Sequence, residues 1–198
     1  MAAAFTEAEK QNIRKALLSA AKKYARTVGM KKTSVEMLAE DAGISKGAFY
    51  AFFETKEHLF LAMLEDWQDD IYRIVRDSYE KQPELPLTER IGGMIETALK
   101  LSREESLPRF VREDVPALIR KLPPEIVAEH HKSDEERLYE IIELTGVRLK
   151  VPKETVIAVI RVLLKSLLFA EEIGPAYPDA IRTLVLSSCG QLIETEER

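Results

Sequence analysis

The stretch TSVEMLAEDAGISKGAFYAFFETKEHLF, from Thr33 to Phe60, leaves few folds open to this chain. Thr33 followed by Glu36 has the spacing of a capping box. A hydroxyl there satisfies an orphan backbone N–H at a helix start, and the carboxylate reaches back to the cap. Val35, Leu38, Ala39 and Ala42 recur at helical spacing and give that helix one apolar face. Gly43 falls where a helix end calls for left-handed backbone, which glycine adopts without strain. Ile44 plugs the turn, and Ser45 is suited to cap a second helix beginning at Lys46. Two short helices across a glycine turn make a helix-turn-helix.

The second helix divides its faces. Phe49, Phe52 and Phe53 form the apolar side, while Lys46 and Tyr50 lie one turn apart on the other, beside Gly47 and Ala51. Small residues at Gly47 and Ala48 let the backbone come close to a groove floor. In this motif the N-terminal residues of the second helix meet base edges. Lys46 supplies a cation for a guanine edge or a phosphate, and the Tyr50 hydroxyl and Lys56 are suited to phosphate oxygens. An ordinary helical hairpin with a Phe-rich core and a solvated lysine is the plainer alternative.

From about Ile13 to Leu64 the chain resembles the TetR family of transcriptional repressors. The resemblance rests on a Thr-Ser helix start, small Ala39, the Ala-Gly turn, Ser45-Lys46-Gly47, the Phe49-Tyr50 pair, Phe52-Phe53 and Thr55-Lys56-Glu57. It implies DNA contacts from Thr33, Ser34, Ser45, Lys46, Gly47, Ala48, Tyr50, Ala51 and Lys56. Ala51 departs from the larger or polar residue the family often carries there, which leaves operator preference open.

Net charge agrees once it is divided. The chain of 198 residues carries −5, but residues 1–60 hold ten Lys and Arg against seven Asp and Glu, a net of +3. The remainder holds 19 against 27, a net of −8. A basic head on an acidic body attracts a polyanion to one face and repels it elsewhere. Lys22, Lys23, Arg26, Lys31, Lys32, Lys46 and Lys56 are the basic supply.

Beyond the motif the pattern is helix after helix, so the expected class is all-α with about nine helices. A three-helix head spans residues 1–60, and a helical effector-binding and dimerisation body spans 61–198. Helix one starts at a second capping box, Thr6 with Glu9, and runs to about Val28. Helix four runs from Thr55 to about Glu80, and further helices are expected near 88–105, 107–122, 124–146, 153–173 and 178–196. Pro116 predicts a break between Glu113 and Leu118. The polar start MAAAFTEAEK does not resemble a leader, and the most apolar stretch is too short and too charged to span a bilayer. The lone Cys189 forms no intrachain disulfide and fits a reducing cytoplasm.

ETVIAVIRVLLKSLLFAEEIG is apolar around much of its circumference and needs cover on more than one side. Its Val156, Ile160, Leu163 and Leu167, with Ile181, Leu184, Val185, Ser188 and Leu192 of the last helix, form the expected homodimer interface. A helix pair buried within one subunit is the alternative. Dimerisation through a four-helix contact is also implied by the resemblance, and two-fold symmetry matches a palindromic operator.

The resemblance further implies a small effector, often apolar, enclosed by the body. Trp67, Met94, Thr97, Phe110, Tyr139, Glu143 and Phe169 are side chains suited to such a site, although each also suits plain packing. No phosphate loop, metal-ligand spacing or nucleophile–base pair stands out, and His131 with Glu135 lies in a charged run that reads as a solvated face. The expectation is therefore a non-enzymatic, cofactor-free repressor released from double-stranded DNA by an effector. A DNA-binding regulator without effector, an activator, and a helical ligand-binding protein no longer acting on DNA are the rivals.

Overall fold

The computed structural model describes residues 5–104 and 107–194, without the side chains of 102–104 and 107. The expected helix ends at 105 and 196 lie outside these residues, as does the start Met1–Ala4. The chain is all-α. Its helices are α1 (Glu7–Arg26), α2 (Val35–Asp41), α3 (Lys46–Phe49), α4 (Lys56–Glu80), α5 (Leu87–Glu104), α6 (Leu107–Glu113), α7 (Val115–Lys121), α8 (Pro124–Thr145), α9 (Lys153–Ser166), α10 (Ala170–Ile173) and α11 (Tyr177–Leu192). No described helix is long and apolar enough to cross a membrane.

The caps explain where helices begin. Thr6 and Glu9 form the reciprocal box at α1, with the Thr6 N–H donating to Glu9 Oε2 at 2.7 Å. Gly43, at φ 70°, closes α2: its N–H donates to the Glu40 carbonyl and that of Ile44 to the Ala39 carbonyl. That pair of bonds is a Schellman ending. Two expected helices are subdivided. The 107–122 helix breaks at Asp114, because Pro116 fits the first turn of a helix and not its interior. The 153–173 helix tightens into a 3₁₀ turn at Leu167–Phe169 before α10.

The chain forms two compact units. The first holds the residues up to Trp67 together with Arg109–Val127; the second holds Gln68–Pro108 and the residues from Ala128 onward. In the first, Leu17, Ala21, Leu38, Phe49, Leu59 and Phe60 are fully buried. Phe60 stacks on Phe110 with ring centroids 5.7 Å apart, which makes the 109–127 segment part of this core.

In the second unit, Leu99 of α5 packs with Leu163, Leu167, Tyr177, Ile181 and Val185. The Leu186 side chain lies so close to Gly92 that a Cβ there would sit 3.2 Å from it. A second cluster joins Leu138, Ile142, Val156 and Ile157. The Tyr79 hydroxyl donates to the Thr145 carbonyl at 3.0 Å, and the Arg90 guanidinium lies 3.7 Å from the Tyr79 ring centroid. After α11 the backbone makes one antiparallel bridge, Leu149 with Ile193.

Candidate nucleic-acid interface

Helix α3 is only one turn long, yet its cap and its aromatic anchors fix its orientation. The Ser45 hydroxyl accepts from the Ala48 N–H at 3.1 Å. Phe49 is fully buried, Phe53 nearly so, and their rings lie 6.2 Å apart. With that side pinned, Ser45, Lys46, Gly47, Tyr50 and Ala51 are all exposed and Ala48 is half-buried. Tyr50 is 52% exposed, and its ring lies edge-on against the buried Phe49 with centroids 5.5 Å apart. The face division read from the sequence is present in three dimensions.

Electrostatics on this face are partly self-compensated. Lys46 Nζ lies 2.6 Å from Glu36 Oε1, bridging α2 and α3. Hydrogen bonding from Lys46, then from Glu36's own backbone and from Ser34, pulls the Glu36 carboxyl down to about 2. Lys23 is likewise held by Asp41 at 2.6 Å. Lys31 and Lys32 are exposed beside the motif.

Two expected contact residues, Thr33 and Lys56, are engaged by the chain's own backbone. Thr33 is buried, and its hydroxyl donates to the Gly29 carbonyl at 2.8 Å, so it is not on the exposed face. The cap of α2 is Ser34 instead, accepting from the Met37 N–H at 3.2 Å. Lys56 donates to the carbonyls of Met30 at 2.9 Å and Thr33 at 2.6 Å. Burial, and secondarily Lys121, lowers the Lys56 ammonium pKa, with Glu57 and Asp114 opposing. These two bonds use two of the three donors of the ammonium.

The expected effector-site residues fall in both units. Trp67 and Phe110 belong to the first, and Phe110 is packed in its core. Met94, Thr97, Tyr139, Glu143 and Phe169 belong to the second, where Met94 is buried and Glu143 and Phe169 are exposed. Glu143 is paired with Lys153 at 2.7 Å. A shallow groove of about 390 Å³ on α8 is lined by His131, Lys132, Glu135, Glu136 and Tyr139. Of the expected interface residues, Val156, Leu163, Leu167, Ile181 and Val185 are already buried in the single chain, while Leu184 is 56% exposed.

Residues 17–63 match the family described as bacterial regulatory proteins, tetR family. The head of the chain is therefore similar to the DNA-binding head of that family. Over 58 residues the chain is 42% identical to the HTH-type transcriptional regulator YuxN of Bacillus subtilis (strain 168). That match covers 29% of the chain and 20% of YuxN, so it speaks for the head alone. The fold likeness is far longer. A TetR family transcription regulator from Marinobacter aquaeolei VT8 superposes with a TM-score of 0.61 at 19% identity, covering 96% of this chain and 100% of that one. RolR, solved in complex with resorcinol, gives a TM-score of 0.59 at 18% identity, covering 94% and 91%.

Proposed function

We propose that the chain is a homodimeric transcriptional repressor that reads duplex DNA with the exposed face of α3 and is released by a small effector bound in its second unit. The observation that carries this is the placement of Ser45, Lys46, Gly47 and Tyr50 on one solvent face, opposite the buried Phe49 and Phe53. Small residues permit close backbone approach, Lys46 supplies the cation and Tyr50 the hydroxyl. Ser34 and Lys56 supplement them.

Homodimerisation is supported by the likeness to TetR-family proteins and by the apolar side chains left outside the chain's own core. Val162 and Leu184, on α9 and α11, are 67% and 56% exposed. A two-fold dimer presents two α3 helices to successive major grooves, about 34–36 Å apart, on a palindromic operator. Effector release is supported by the likeness to RolR, a protein solved with resorcinol. The effector shifts the equilibrium by no more than its differential affinity for the two states, and DNA and effector weaken each other reciprocally.

Selection of duplexes from a random pool by the full chain, followed by titration of the winner across a salt series, tests the reading. Saturable, sequence-selective binding that weakens steeply with salt supports it; equal affinity for all duplexes, or none, defeats it.

A further inference from the structure

Asp114 occupies the break between α6 and α7, where an aspartate ordinarily caps the following helix. Here its side chain makes no cap bond. Pro116 has no N–H to cap, and the Ala117 N–H already donates to the Asp114 backbone carbonyl at 3.0 Å. The carboxylate turns instead to a loop far back in the chain, accepting from the buried Met30 N–H at 3.0 Å.

That loop, Gly29 to Thr33, leads directly into the cap of α2. Each of its anchors is a named bond. Lys56 holds the carbonyls of Met30 and Thr33, the Thr33 hydroxyl holds the carbonyl of Gly29, and Asp114 holds the Met30 N–H. Gly29 is part of the fit. Its φ is +81°, and a Cβ there would lie 2.9 Å from Asp114 Oδ2. The elbow is fastened to the same core on either side, by the Phe60–Phe110 stack and by Lys121 donating to Glu57 at 2.8 Å.

We propose that Asp114 is a positioning residue for DNA reading: by clamping the Met30 N–H it fixes the loop that launches α2, and so makes the α6–α7 elbow a working part of the head. It touches no DNA itself. Buried hydrogen bonds to a charged acceptor are strong and geometrically exacting, so loss of this one frees the loop even where the core stays packed. The inference rests on the proposed DNA-binding role and adds to it a residue some fifty positions beyond the motif.

The test compares Asp114→Ala, Asp114→Asn, Gly29→Ala and the Asp114→Ala/Gly29→Ala pair, titrated on the selected duplex below the melting temperature of every variant. Affinities are corrected for active fraction, and Met30 amide exchange is followed by NMR. The expected result is roughly tenfold weaker selective binding for Asp114→Ala and for Gly29→Ala, with non-additive effects in the pair. Asp114→Asn, which keeps an oxygen acceptor, should restore affinity to within about threefold of wild type. The Met30 amide should exchange faster in Asp114→Ala while binding to unrelated duplex stays unchanged. A merely structural role would lower melting temperatures without altering the affinity of the folded fraction. Wild-type affinity in folded Asp114→Ala, or no rescue by Asp114→Asn, overturns the inference. Absence of selective binding by the wild type overturns the DNA reading itself, and this clamp role with it.

Discussion

Lys46 and Glu36 are joined across the helix-turn-helix at 2.6 Å, which places an acid of α2 on the same cation that α3 would offer to DNA. Both side chains are more than half exposed, so the pair is screened and weak as a stabiliser. Its importance lies in competition. A phosphate or base edge recruiting Lys46 must displace Glu36.

Glu36→Gln should therefore tighten duplex binding several-fold at low salt, with the gain shrinking as salt rises. Fluorescence anisotropy at two ionic strengths checks this. Unchanged or weaker binding by the variant would show that Lys46 does not leave Glu36 on docking.

The same pair sets a pH signature. The Glu36 carboxyl is lowered from 4.5 to about 2, with the Lys46 hydrogen bond as the largest cause. Its stabilising contribution, small because the pair is exposed, is complete above 4.5 and is lost as pH falls through the lowered pKa. An NMR titration of the Glu36 carboxyl should give a midpoint below 4.5, and Lys46→Gln should move it up toward 4.5. A wild-type midpoint near 4.5 would mean the pair does not form in solution.

Phe49 anchors α3 from beneath and is fully buried. Phe49→Ala should cost about 3–5 kcal/mol by losing apolar burial and leaving a cavity. Denaturant unfolding followed by circular dichroism measures it. A loss below about 1 kcal/mol would place the anchor elsewhere.

Cys189 is buried in α11, and burial pushes its thiol above the usual range. It should react with iodoacetamide far more slowly in the folded chain than in urea at pH 8. Equal rates would mean that α11 opens readily.

Features set by neighbours in the chain are legible in the sequence. The Thr6–Glu9 box, the Gly43 ending, the Ser45 cap and the Pro116 break all depend on residues within one or two turns. Thr33 shows where that stops. It and Ser34 are equally good caps by type, and the choice is made by the Gly29 carbonyl, which takes the Thr33 hydroxyl into a preceding 3₁₀ turn. Lys56 and Asp114 are further cases, since their partners are backbone groups 26 and 84 residues away. In α11, apolar periodicity could not tell Val185, which fills the chain's own core, from its exposed neighbour Leu184.

Reading of duplex DNA by the exposed face of α3 is measured most directly by the salt dependence of binding by Lys46→Ala/Tyr50→Phe. With the variant folded as wild type, affinity for the selected duplex should fall by at least tenfold, and the slope of log affinity against log salt should flatten by about one. Affinity within twofold of wild type, with an unchanged slope, would contradict the account.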